Sequence, residues 1–291
     1  MLYLLIVSLV WAFSFGLVKN NLGDVSPYFV AAARLGISLI VFLPFFRWRG
    51  LDRKTALQLI LIGAIQYGGM YIAYTYAFQY LKAFEVALFT IFTPLYVTLI
   101  HDYFQRRWNR AGLAAAFLAI LGTAVVKVGT DLPSTLLAGF LVVQISNLCF
   151  AFGQVWYREV LADKEDVKDR HIFALPYLGG AAASGLAALL FTDWSTLVFT
   201  SSQGWTLLYL GAISSGLCFF LWNAGARKVD ASTLAVFNDL KIPLAVVVSL
   251  VFFGEQANLT NLLIGSLIVM AALALSEWTS RRRQLQLSQR I

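Results

Sequence analysis

Ten runs of mostly apolar residues, joined by short polar connections, constrain this chain more than any other feature. They cover residues 2–19, 28–46, 57–80, 84–101, 111–128, 136–157, 172–191, 205–224, 232–252 and 259–279. A helix needs about 20 such residues to cross the roughly 30 Å of hydrocarbon in a bilayer, and every run is close to that length. Inside lipid each backbone N–H and C=O must be satisfied within its own segment, so the spans are read as helices. The expected fold class is an all-α integral membrane protein with ten transmembrane helices. Outside the spans, only the polar segment from Arg158 to His171 is long, which leaves no room for a soluble domain. The amino terminus is apolar from Leu2 and has neither a basic lead-in nor a small-residue cleavage pattern, so it reads as a first span rather than a removed signal peptide.

With 59% hydrophobic and only 13% charged residues, the chain lacks the charged surface that a soluble fold of 291 residues requires. The net charge of +7 does not point to nucleic acid, because the basic residues fall in clusters between the spans and not on one face. Seventeen of them lie in alternate connections: Arg47 to Lys54, Arg106 to Arg110, Arg158 to Arg170, Arg227 with Lys228, and the tail from Arg281 to Arg290. Only Lys19, Lys82 and Lys127 fall on the other side. The positive-inside bias therefore puts both termini in the cytoplasm. Cys149 and Cys218 sit inside apolar runs and suggest neither a disulfide nor a zinc site. With no nucleotide loop, metal-ligand cluster or nucleophile–base pair in the sequence, no cofactor, no metal and no enzymatic activity are expected. The expected partners are a small-molecule substrate and the lipid bilayer, and the expected assembly is a monomer or homodimer.

The second half of the chain repeats the first. Gly63-Ala64-Ile65-Gln66-Tyr67-Gly68 matches Gly211-Ala212-Ile213-Ser214-Ser215-Gly216 at an offset of 148, and Pro94 matches Pro243 at 149. Ala12 to Gly16 resembles Cys149 to Gly153 at the shorter offset of 137. These matches pair spans one with six, three with eight and four with nine, in order, as a duplicated five-helix unit requires. Five is odd, so the second copy must cross the membrane in the opposite sense. Two inverted repeats, 1–130 and 131–291, are therefore expected, and many secondary transporters use that arrangement to alternate access around a midplane site.

Polar side chains at mid-depth then carry the functional information. Counting about 1.5 Å per residue places Trp11, Ser14, Gln66, Tyr67, Tyr71, Thr90, Thr93, Asn147, Ser215, Asn238 and Lys241 near the midplane, with Tyr74 one turn further along the third span. Six spans contribute polar groups, so they are expected to wall a central cavity. Tyr67, Tyr71, Tyr74 and Phe78 share one helical face. They form either a packed aromatic seam or a wall for an amphipathic solute.

Phe237 to Pro243, FNDLKIP, places charge in hydrocarbon, where each charged group costs about 2.5 kcal/mol or more. Asn238 and Lys241 are three residues apart and share a face, whereas Asp239 and Lys241 point nearly opposite ways. Lys241, aided by Asn238, is expected to hold a substrate carboxylate. Asp239 is expected to pair with Arg34, the other basic residue within a span. Pro94 and Pro243 are candidate hinges.

The pattern resembles the EamA branch of the drug/metabolite transporter superfamily. Trp11-Ala12-Phe13-Ser14-Phe15 with Lys19 looks like that family's opening helix, Pro27 followed by Arg34 like its second, and Tyr76-Ala77-Phe78 with Ala87 and Pro94-Leu95 like its third and fourth. Leu221-Trp222-Asn223-Ala224, Pro243 and Gly254-Glu255 resemble the eighth to tenth. Gln105-Arg106 departs from the Gly-Glu common at that turn, and FNDLKIP carries more charge than the usual ninth helix. The resemblance implies a ten-helix secondary carrier of the bacterial inner membrane working by alternating access, commonly an exporter of amino acids or related zwitterions and amines. A carrier of organic anions or phosphorylated metabolites, or a membrane scaffold or sensor, is the alternative.

Overall fold

In the computed structural model, residues 2–48, 50–104, 134–164, 166–228 and 231–255 are described, with 134, 231–236 and 239 described by backbone alone. All regular structure among them is helical. Seven helices are long and apolar enough to cross a bilayer: α1 (Leu2–Leu22), α2 (Pro27–Phe45), α3 (Arg53–Ala77), α4 (Ala83–Phe104), α5 (Ser134–Val160), α6 (Asp169–Phe191) and α7 (Ser201–Ala226). An eighth, α8 (Ala231–Phe252), is the ninth run of the sequence and carries Pro243 inside continuous α-helix. The runs 111–128 and 259–279 lie outside the described residues.

Helix boundaries follow local chemistry. Pro27 opens α2, where its missing N–H is not needed. The Asp52 carboxylate accepts from the Thr55 N–H (3.1 Å) and hydroxyl (2.6 Å), so α3 starts at Arg53, four residues before its apolar run. These bonds, aided by Lys164 at 3.1 Å, hold the Asp52 carboxyl well below the usual carboxylate range. Thr200 and Gln203 form a reciprocal capping box at the start of α7 (2.7 and 3.2 Å).

The helices are patterned for a bilayer. Leu137, Leu141, Ile145 and Leu148 recur along one face of α5 and are exposed, while Gln144, Asn147 and Gln154 turn inward and are buried. Exposed leucines likewise stud α6, among them Leu186, Leu189 and Leu190. This arrangement suits lipid outside and polar groups inside.

Glycines set the closest crossings. A Cβ on Gly63 of α3 would come within 1.8 Å of the Pro176 carbonyl oxygen of α6, and one on Gly179 within 1.8 Å of the Ile60 carbonyl oxygen. A Cβ on Gly211 of α7 would come within 2.7 Å of Ile37 on α2. These crossings hold α6 against α3, and α2 against α7.

Both of those glycine-rich segments are π-helical, Ala64–Gly69 in α3 and Leu210–Leu217 in α7, and they are the matched GAIQYG and GAISSG of the sequence. The wide turns leave carbonyls for side chains of neighbouring helices. Ser38 donates to the Gly211 carbonyl (2.8 Å), and Tyr177 donates to those of Ser215 (2.9 Å) and Gly216 (2.6 Å).

Among the described residues two apolar cores result. One gathers Phe15, Val18 and Leu22 with Phe84, Phe89 and Phe92, and the other gathers Leu4, Val7 and Trp11 with Tyr67, Phe173 and Trp222. Helix α1 runs from one to the other between Trp11 and Phe15.

Candidate functional site

A cavity lies at that junction, with about 510 Å³ of empty space counted together with its open mouth. Helix α1 supplies Trp11, Ser14 and Phe15, α2 supplies Arg34, and α3 supplies Met70, Tyr71 and Tyr74. Thr90 and Thr93 come from α4, Ser146, Asn147 and Phe150 from α5, Ser214 and Phe219 from α7, and Lys241 from α8. Of the eight described helices only α6 contributes nothing, because it packs outside α2 and α3.

The aromatic wall is fixed by packing and one hydrogen bond. The Trp11 ring lies 4.9 Å from that of Phe219 and 5.2 Å from that of Trp222, centroid to centroid. Its Nε1 donates to the Ser214 carbonyl at 2.9 Å, within the π-helical part of α7.

The hydroxyl and amide wall follows from Pro94. Lacking an N–H, Pro94 leaves the Thr90 carbonyl without its helical donor, and the Thr93 hydroxyl takes it at 2.7 Å. A 3₁₀ turn over Thr90–Phe92 precedes it. The Asn147 amide donates to the Phe89 carbonyl (2.8 Å), while its oxygen accepts from the Thr93 hydroxyl (3.3 Å). Pro94 thus shapes the wall, whereas α8 runs through Pro243 unbroken, so the two candidate hinges differ locally.

Among the described lining residues the charged ones are Arg34 and Lys241. The Arg34 Nε donates to the Ser215 hydroxyl (3.1 Å), and its Nη2 donates to the hydroxyls of Tyr71 (3.0 Å) and Ser214 (3.5 Å). The guanidinium carbon sits 4.4 Å from the centre of the Tyr71 ring. Lys241 donates to the Asn238 oxygen (3.0 Å), and its Nζ lies 5.3 Å from the centre of the Trp11 ring and 5.9 Å from that of Phe150. The side chain of Asp239, expected to pair with Arg34, lies outside the described residues.

The remaining expected residues divide. Ser215 and Asn238 stand behind the wall as partners of Arg34 and Lys241. Gln66 and Tyr67 are buried but do not line the cavity. Gln66 packs against Gly153 of α5, and Tyr67 stacks on Tyr177 of α6 (5.4 Å) and accepts from the Asn223 amide (2.9 Å). The π-turn is the reason: it breaks the 3.6-residue period on which the face from Tyr67 to Phe78 was drawn. Phe78 packs beside Tyr74 at 5.0 Å, below the cavity wall. Phe15, Met70, Phe150 and Phe219 line the cavity outside that expectation. Polarity at depth was the signal used, and apolar liners carry none.

Comparison with known proteins agrees with this architecture. The EamA-like transporter family is matched twice, over residues 1–128 and 137–277. The chain is 36% identical over 290 residues to a "probable biotin transporter" of Pseudomonas aeruginosa, covering 98% of this chain and 100% of that one. It is also 36% identical over 284 residues to the biotin transporters of Salmonella typhimurium and Escherichia coli K12, covering 97% of this chain and 93% of each relative. A crystal structure with 22% sequence identity superposes with a TM-score of 0.69, covering 97% of this chain and 98% of that one, and shares the fold. The chain belongs to the EamA-like transporter family and is a multi-pass membrane transporter of small metabolites.

Proposed function

We propose that this chain carries biotin, or a close monocarboxylate analogue with an apolar ring body, across the bacterial inner membrane by alternating access. The carrying observation is the lining of the cavity: Arg34, whose Nη1 finds no hydrogen-bond partner among the described residues, and Lys241 stand there among rings, hydroxyls, an amide and the Met70 thioether. A zwitterionic amino acid would bring its ammonium beside two basic side chains. A monocarboxylate instead brings an acceptor for the guanidinium. The bicyclic body of biotin suits Trp11, Phe150 and Phe219, and its urea group suits Asn147, Thr90 and Thr93. The names of the relatives support the same solute. The organic-anion alternative thereby displaces the amino-acid expectation.

The proposed frame is ten spans in two inverted repeats, 1–130 and 131–291, with both termini cytoplasmic. Three observations support it: the twofold family match, the π-helical segments at equivalent positions, and the basic connections on one side. The substrate-facing groups are Trp11, Ser14, Arg34, Tyr71, Tyr74, Thr90, Thr93, Asn147 and Lys241.

The test is counterflow of labelled biotin in proteoliposomes, with excess unlabelled biotin, amino acids and phosphorylated metabolites as competitors. Accumulation blocked by biotin alone is expected. Accumulation of labelled amino acids instead of biotin would overturn the proposal.

A further inference from the structure

We infer that Arg34, not Lys241, forms the direct hydrogen bonds to the substrate carboxylate, through its Nη1. This rests on the reading that the solute is a monoanion. The Arg34 side chain is only 1% exposed, lines the cavity, and finds no hydrogen-bond partner for Nη1 among the described residues. A charged donor buried in this way is costly unless an acceptor reaches it.

Arg34's neighbours orient the group without satisfying it. The Ser215, Tyr71 and Ser214 hydroxyls take Nε and Nη2, and the Tyr71 ring lies 4.4 Å from the guanidinium carbon. All of these partners are neutral, so they fix the plane of the fork and leave its charge to an incoming anion. A held guanidinium with one unpartnered nitrogen selects an anionic oxygen by position as well as by charge. Lys241 is placed differently. Its ammonium donates to Asn238 and lies among the rings of Trp11 and Phe150. The specificity element is therefore a residue of the second span, set by hydroxyls of the third and eighth.

The test compares ligands that differ only in charge at the acid. Thermal unfolding of the purified full-length protein in nanodiscs would be followed with biotin, biotin methyl ester, valerate and valeramide, for the wild type, Arg34→Gln and Arg34→Lys. For the wild type, each acid should half-saturate at a concentration about tenfold or more below that of its neutral counterpart, the loss expected for one hydrogen bond to a charged group. In Arg34→Gln this preference should fall to about unity, and Arg34→Lys should retain part of it. The preference is a ratio within one variant, so it stands apart from changes in that variant's stability.

Wild-type acid preference persisting in Arg34→Gln would overturn the inference while leaving the biotin reading intact. Stabilisation by valerate but not biotin, with the preference lost in Arg34→Gln, would sustain Arg34 and overturn biotin as the solute. No acid preference in the wild type would overturn both.

Discussion

The Tyr71 and Ser215 hydroxyls lie 2.8 Å apart, although 144 residues separate them in the chain, and both accept from Arg34. One residue belongs to α3 and the other to α7, so the guanidinium of α2 is held where these three helices meet.

Removing either hydroxyl should loosen the arginine without removing its charge. Tyr71→Phe and Ser215→Ala are each expected to raise the half-saturating biotin concentration about tenfold, with the maximal rate within about twofold of wild type. Concentration-dependent uptake would measure this. An unchanged half-saturation would show that Arg34 is positioned by other contacts.

Lys241→Met keeps most of the apolar stem and deletes the ammonium beside Trp11. Biotin transport should fall about tenfold, by the loss of one close favourable charge in a low-dielectric site. Asn238→Ala should have a smaller effect in the same direction, since it frees the ammonium it now orients. Wild-type initial rates in Lys241→Met would remove the lysine from the site.

The glycine crossings predict a graded set of stabilities. Gly63→Ala and Gly179→Ala each drive a methyl into a backbone carbonyl of the facing helix, and should lose about 1–3 kcal/mol or more. Gly36→Ala has nothing within 4 Å and should be neutral or slightly stabilising. Thermal unfolding in detergent would rank them, and equal midpoints for Gly63→Ala and Gly36→Ala would contradict the crossing.

Trp222 is fully buried, and its Nε1 donates to Gln154 at 3.1 Å. Trp222→Ala should lose about 3–5 kcal/mol, and Trp222→Phe, which keeps most of the ring, about 1 kcal/mol. If both variants lost the same amount, the hydrogen bond and not the ring would be the source of stability.

Glu255 accepts from the N–H groups of Ala83 (2.8 Å) and Phe84 (3.1 Å), tying the turn after α8 to the start of α4. Glu255→Ala should cost about 1 kcal/mol, as for a lost helix cap, with Glu255→Gln in between. An unfolding midpoint identical to wild type in Glu255→Ala would show that the tie contributes nothing.

The seven long helices and α8 were legible in the sequence because a bilayer demands contiguous apolar length, a local property of the chain. Ends were less legible where polar residues extend a helix beyond its apolar run, as when Asp52 starts α3 at Arg53. Buried polar residues announced themselves by composition alone, since lipid accepts few of them. Which of those residues share a space was not legible. A π-turn over Ala64–Gly69 removed Gln66 and Tyr67 from the cavity side, and periodicity reasoning has no term for an inserted residue in a turn.

Arg34 marks the division most plainly. The sequence alone determined that a guanidinium lies at depth in the second span and therefore needs partners, because hydrocarbon offers none. Only the tertiary structure decided that Tyr71, Ser214 and Ser215 take two of its nitrogens and leave Nη1 without a hydrogen-bond partner among the described residues. Hydropathy depends on each residue's own transfer energy, whereas a hydrogen bond between residues 34, 71 and 215 depends on how three helices cross.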